Sequence, residues 1–237
     1  MKKNIDNFKI FYLSFLGKTV SDLLSKKILD IWKPINNSRV AAIGFCSPYL
    51  KSINKKTQKV FFLIPSLHGL YHFDENNKNL TVSVNEYLLP IDDLFLDRLL
   101  VIHSFEYLID HQKFLREAWR TLDKNGEILI IVPNSFGFWR PYYKKNLSSL
   151  RTFSFSELNS LLINNFFTPI DFSYSLFFPP TNSQLVLKKI NIFEKVSKSF
   201  LKFFSGIIIV RARKNYSAAV LKEKKIIKRK IMQKIRS

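Results

Sequence analysis

Acid, glycine and cysteine are all scarce in this chain. Its 237 residues include 18 Asp or Glu against 38 Lys or Arg, six glycines and one cysteine. The lone Cys46 excludes a disulfide framework and any cysteine-rich zinc site, and suits a reducing cytosol, so the expected location is cytoplasmic. No stretch approaches the roughly 20 apolar residues of a membrane-spanning helix. The N-terminal "MKKNIDNFKIFYLSFLGK" sets lysines before an apolar patch, but Lys9 interrupts it and no small-residue cleavage site follows. A signal peptide is therefore not expected. Internal repeats and flexible linkers are also missing. One metal pairing is conceivable, His68 and His72 at i, i+4, but no ligand cluster accompanies it and no metal site is expected.

The net charge is +20. Half of it comes from residues 211–237, where 11 basic residues face one acid, Glu223. The tail "LKEKKIIKRKIMQKIRS" intersperses lysines with Ile226, Ile227, Ile231 and Ile235, and reads as a basic amphipathic helix over 217–235. Such a helix suits an anionic membrane surface or RNA, while a simply solvated tail fits the same pattern.

What remains is globular, with 46% apolar and 24% charged residues. "RVAAIG" (39–44), "DRLLVIHS" (97–104) and "EILIIVPN" (127–134) are short, nearly continuous apolar runs, as in parallel strands covered on both faces. "QKVFFLIP" (58–65), "NLTVSVN" (79–85), "TPIDFSYSLFF" (168–178) and "GIIIVRARK" (206–214) are further strands. Helices are expected at 6–16 and 18–32, at 110–126 with Asp110 as N-cap and "KNG" as stop, and at 154–165 with Ser154 and Glu157 as a capping box. A long amphipathic helix is expected at 184–204, and an irregular aromatic stretch, "NSFGFWRPYYKKN", at 134–146. Alternation of this kind favours a doubly wound α/β sheet. The expected organisation is one domain over 1–214, with N-terminal helices in 1–37 and a sheet core in 38–214, followed by the tail 215–237.

The order of elements and the block "LLPIDDLFLDRLLVIHSFEYLIDHQKFLREAWRTLDKNGEILIIVPN" (88–134) resemble the class I S-adenosylmethionine-dependent methyltransferases of the type 11 kind. Leu89, Pro90, Asp97, Glu106, Leu115 to Glu117, Arg120, Leu122 and Gly126 fall in register with that family's pattern. The likeness implies a Rossmann-like seven-stranded, mostly parallel sheet with an antiparallel last strand, and S-adenosylmethionine as cofactor. "IGFCSPYL" (43–50), "IPSLHG" (64–69), "RPY" and "FFPP" resemble a narrower bacterial group of methyltransferase-like proteins, in which "LGYATPYL" stands where the larger family has "VGCGTGYL".

The resemblance also assigns residues. Gly44 keeps the tight turn after the first strand, with Phe45, Cys46 and Ser47 in the cofactor loop and Pro48 in the first helical turn. Asn85 and Glu86 fall at the adenine end, and His103 at the end of the fourth strand. Ala42 stands where an acid often precedes the turn, and Ser66 or His68 where a carboxylate usually binds the ribose. His103 and Glu106 are the candidate bases, since an attacking oxygen or nitrogen must lose a proton. "IHSF" lacks the Asn-Pro-Pro-aromatic motif of amino-methyltransferases acting on DNA bases. "SFGFWRPYYKK" could be a lid over a small apolar substrate, a stacking platform for RNA, or a packed loop. The expected activity is methyl transfer to a small molecule or an unknown macromolecule. The alternatives are a catalytically inactive binding or regulatory protein of the same fold, and an RNA-binding or RNA-modifying protein.

Overall fold

The computed structural model describes residues 3–32, 35, 37–49, 59–66, 74–75, 78–79, 81–147, 151–196 and 202–218. Seven strands form one sheet: β1 (Arg39–Gly44), β2 (Lys59–Pro65), β3 (Thr81–Val84), β4 (Leu96–Ile102), β5 (Leu122–Pro133), β6 (Phe167–Ser175) and β7 (Ile207–Lys214), in the order β3-β2-β1-β4-β5-β7-β6. The β3-to-β5 neighbours are parallel, and β7 runs antiparallel to both β5 and β6. This is the Rossmann-like sheet with an antiparallel last strand. A small ribbon pairs Asp74–Glu75 with Lys78–Asn79.

The nearly unbroken apolar runs become strands because both faces of the sheet are covered. Successive side chains alternate between two cores. Val40, Ala42, Leu100, Ile102, Leu129 and Ile131 face one side, beneath α1 (Lys3–Leu13) and α2 (Phe15–Ile31). Ala41, Ile43, Leu99, Val101, Ile128 and Ile130 face the other, against Phe114, Leu115 and Ala118 of α3 (His111–Thr121) and Leu158 and Leu162 of α5 (Phe155–Asn164). At ~25 cal/mol per Å² of apolar surface, this double burial is the main force holding the sheet.

Polar residues of the 88–134 block clamp the amino-terminal edge of β4. Asp97 accepts from the Arg39 backbone N–H (2.8 Å) and from its guanidinium (3.0 and 2.8 Å), pinning β1 to β4. Glu117 accepts from the Leu89 N–H at 2.6 Å, and Arg120 donates to Glu117, to Asp93 and to the Leu89 carbonyl. The Glu117 hydrogen bonds, then Asp93, hold the Arg120 guanidinium still more firmly protonated than usual.

Several boundaries differ from expectation. The break between the first two helices is at Ser14, whose hydroxyl caps α2 by accepting from the Gly17 N–H. Gly17 is inside α2, pressed so closely on the Phe11 carbonyl that an added Cβ would lie 1.9 Å from its oxygen. α3 starts at the Asp110 cap but ends at Thr121, because Leu122 already pairs with Leu96 and "KNG" falls within β5. The capping box at Ser154 is half made: Ser154 accepts from the Glu157 N–H, but the Glu157 carboxylate turns to Arg151. Residues 140–146 are helical, as α4 (Arg140–Asn146), with a proline in the first turn. The expected long helix over 184–204 is broken into α6 (Gln184–Lys188) and α7 (Ile190–Val196), with a 3-10 turn at Lys202–Phe204. The break turns Glu194 inward, where it accepts from Lys27 Nζ, Ser175 Oγ and the Phe177 N–H. The basic helix expected over 217–235 lies outside the described residues except for its first two positions, 217 and 218.

Candidate functional site

The carboxyl ends of β1 and β4 meet at Gly44. Its φ is +106°, and a Cβ there would lie 2.0 Å from the Ile102 carbonyl oxygen and 2.9 Å from Ser104 Cβ. Only glycine lets these two strand ends close on each other. Directly opposite, His103 adopts a φ of 54°, in the left-handed region that few side chains favour. That turn aims its ring across the end of the sheet.

His103 is the centre of a polar chain. Its Nδ1 lies 3.5 Å from Glu106 Oε1, and its Nε2 meets the Tyr12 hydroxyl at 2.6 Å. Tyr12 in turn shares a 2.5 Å hydrogen bond with Tyr49. Burial holds the hydroxyls of Tyr12 and Tyr49 protonated well beyond the ordinary phenol range; Tyr49 reinforces the shift at Tyr12, while the hydrogen bond from Tyr12 partly offsets it at Tyr49. Glu106 is buried, and among the described residues neither of its carboxylate oxygens has a hydrogen-bond donor; neighbouring Ser104 Oγ is equally buried and has no hydrogen-bond partner among them. Buried polar atoms left without partners are rare and call for an explanation.

Aromatic rings cover this chain. Phe8 lies 4.4 Å from the His103 ring and 5.5 Å from Phe45, and Tyr12 stacks on Phe45 at 5.8 Å. Beneath them is a narrow cavity of about 30 Å³, walled by Tyr12, His103, Glu106, Trp139, Tyr143 and Leu176 among others. It has room for a water-sized guest only. On the other side of Tyr12 an open groove of about 420 Å³ runs past Phe45, Ser47, Pro48, Lys18 and Asp22. Tyr12 is the wall between the two.

The structure thus brings Gly44, Phe45, Cys46, Ser47, His103 and Glu106 to one end of the sheet. Cys46 points into the core, where burial pushes its thiol pKa far up, so it is no nucleophile. Asn85 is exposed after β3, and its side-chain oxygen is engaged by the Tyr87 N–H, while Glu86 beside it is buried. Ser66 is exposed at the end of β2; His68 and His72 lie outside the described residues. No metal-holding cluster occurs among the described residues. The 134–146 stretch splits its aromatics. Trp139 is fully buried, its Nε1 donating to the Phe178 carbonyl, and Tyr143 walls the cavity, whereas Phe136 and Phe138 face outward. Phe138 and Trp139, adjacent in the chain, thus point to opposite sides.

Sequence reasoning missed Phe8, Tyr12, Tyr49 and Ser104. A usable signal was present in Phe8, Phe11 and Tyr12, whose i, i+3, i+4 spacing gives α1 one aromatic face.

Residues 36–130 match the family described as a methyltransferase domain. No functionally curated protein matches the chain. Among solved structures, a methyltransferase of Thermotoga maritima, described as a possible histamine N-methyltransferase, superposes with a TM-score of 0.65 at 18% identity, over 90% of this chain and 96% of its own. An S-adenosylmethionine-dependent methyltransferase of Archaeoglobus fulgidus gives 0.57 at 16% identity, covering 82% and 94%. Geranyl diphosphate C-methyltransferase of Streptomyces coelicolor A3(2) gives 0.54 at 12% identity, covering 81% and 76%. At such identities these likenesses establish the fold. No described helix is long and apolar enough to cross a membrane.

Proposed function

From a chain that has the class I methyltransferase fold and matches a methyltransferase domain over residues 36–130, we propose an S-adenosylmethionine-dependent methyltransferase acting in the cytoplasm on a nitrogen or oxygen of a small acceptor. Bound S-adenosylmethionine supplies an electrophilic methyl group on a sulfonium. The described residues fit the amino-acid end of such a cofactor. Gly44 keeps the β1 turn tight, and Ser104 Oγ with the Glu106 carboxylate provides buried polar atoms beside it that make no hydrogen bond among the described residues. Ser47 and Lys18 line the adjoining groove, suited to the cofactor's carboxylate.

The observation that carries the reading is the pairing of half-buried His103 with buried Glu106. In this reading the Tyr12 hydroxyl, 2.6 Å from His103 Nε2, stands where the acceptor's O–H or N–H belongs. Tyr12 swings out with α1, and the acceptor takes its place against the imidazole. Were the acceptor to take the methyl group from a bound cofactor, the S–CH3 bond would break to leave S-adenosylhomocysteine, the acceptor's proton would pass to His103 Nε2, and Glu106 would stabilise the resulting imidazolium through Nδ1. A base so placed contributes about 10²–10⁴ in rate, and holding both reactants side by side at this end of the sheet supplies the rest through proximity. Titration of the purified protein with S-adenosylhomocysteine should release or absorb heat and raise the melting temperature; no response at millimolar ligand overturns the reading.

A second reading, a fold kept for binding and not for transfer, has one observation in its favour. Phe8 and Tyr12 fill the space over His103 in the described arrangement, leaving about 30 Å³ beneath.

A further inference from the structure

We propose that a phenylalanine face formed by the loop after β5 and the turn before β7 docks the protein on anionic bilayers. Phe136, Phe138, Phe203 and Phe204 are 62%, 53%, 68% and 42% exposed, at the same end of the sheet as the His103 site. Isolated exposed apolar residues mean little, but a contiguous aromatic patch marks an interaction surface.

The patch is built to stay open. Asn134 Nδ2 donates to the Ser205 carbonyl (3.1 Å) and Oγ (2.9 Å), and the Phe138 N–H donates to the Phe204 carbonyl. Gly137 sits so close to the Ser205 carbonyl that a Cβ would lie 1.9 Å from the oxygen. The two loops are thus welded together, and fully buried Trp139 packs on Gly206 and Phe178 beside them.

Charge selects the partner. Arg140, Lys144, Lys145 and Lys202 are exposed on the same two segments. Residues 134–156 and 195–222 contain no acid, in a protein of net charge +20. Aromatic rings beside cations fit the interface of an anionic membrane, where rings enter the headgroup boundary and cations meet lipid phosphates. A second copy of this chain would meet like charge. Stacked nucleobases need free ring faces, yet Phe138 and Phe204 stack on each other at 4.9 Å and Phe136 meets Phe203 edge to face at 6.0 Å.

The test is co-sedimentation of the full chain with vesicles of pure phosphatidylcholine or of phosphatidylcholine with phosphatidylglycerol. Partitioning onto the anionic vesicles is expected, and Phe136→Ser, Phe138→Ser, Phe203→Ser and Phe204→Ser together should weaken it at least tenfold with net charge unchanged. Melting temperature checks that the variant folds; since the rings are largely exposed, it should stay close to that of the parent. Equal binding by parent and variant reduces the effect to charge adsorption and overturns the proposal. So does loss of single-stranded RNA binding in the variant without loss of vesicle binding, or a parent that dimerises through this face and ignores vesicles.

Discussion

Tyr12 and His103, 91 residues apart, meet at 2.6 Å, and that contact latches the first helix over the end of the sheet. The same hydroxyl bonds Tyr49 at 2.5 Å, so one atom ties α1 to both sides of the β1 turn.

Tyr12→Phe should release the latch while keeping the ring stack. Losing these hydrogen bonds costs about 1 kcal/mol, or about a fivefold rise in the population with α1 open. Trypsin cleavage after Lys9, inside α1, reports that population. The variant should be cut several times faster than the parent, and a bound S-adenosylhomocysteine should alter the rate in both. Identical cleavage would mean that Phe8 and Phe11, not Tyr12, hold the helix.

Glu106→Gln separates chemistry from architecture. The carboxyl group is buried with no hydrogen-bond donor among the described residues, so replacing it with an amide should raise stability by about 1 kcal/mol. If it supports His103 in proton transfer, the same change lowers kcat by about 10² or more. Melting temperature and single-turnover methyl transfer should therefore move in opposite directions. A parallel loss of both would make Glu106 a structural residue.

The fold was legible because burial on both faces writes itself into β1, β4 and β5 as uninterrupted apolar runs. The 88–134 block was legible for a related reason, and its structure shows what it encodes. Asp97, Glu117 and Arg120 clamp the amino-terminal edge of β4, away from the reacting end, so they report fold more than activity. His103 and Glu106 could be placed together because they stand three positions apart in the chain. Tyr12 could not, since nothing in an amphipathic helix says which strand end its aromatic face will cover. The 184–204 segment failed for a similar reason: Glu194 looks like a solvated helix residue until Lys27 and Ser175 are seen beside it.

Gly44→Ala or Gly44→Val tests whether the turn serves ligand or fold. The sequence suggests loss of cofactor binding alone. The structure requires more, because the new Cβ would strike the Ile102 carbonyl and the backbone is in the left-handed region. Backbone strain and overpacking together should cost about 2–4 kcal/mol. A urea midpoint well below that of the parent is expected, and an unchanged midpoint would show that the turn yields.

Lys214 gives the chain a basic-pH signature. Its ammonium is buried against Trp119, 3.8 Å from the ring centroid, with Nζ donating to the Leu122 carbonyl at 2.6 Å, and burial lowers its pKa from 10.5 to about 8. Between those values the folded state holds fewer protons than the unfolded chain, so this group's contribution to stability rises with pH. Below pH 8 the full cost of burying the charge is present. Lys214→Met should therefore melt higher than the parent at pH 7, with an advantage that shrinks as pH climbs through 8 toward 10.5. Cys46 and Tyr12, held protonated by burial, act in the opposite sense at the alkaline end, but both proteins contain them and they cancel in the difference. Thermal melts of the pair at pH 7, 8 and 9.5 decide the matter. A difference in melting temperature that stays constant across the series would show that the lysine keeps its ordinary affinity for its proton.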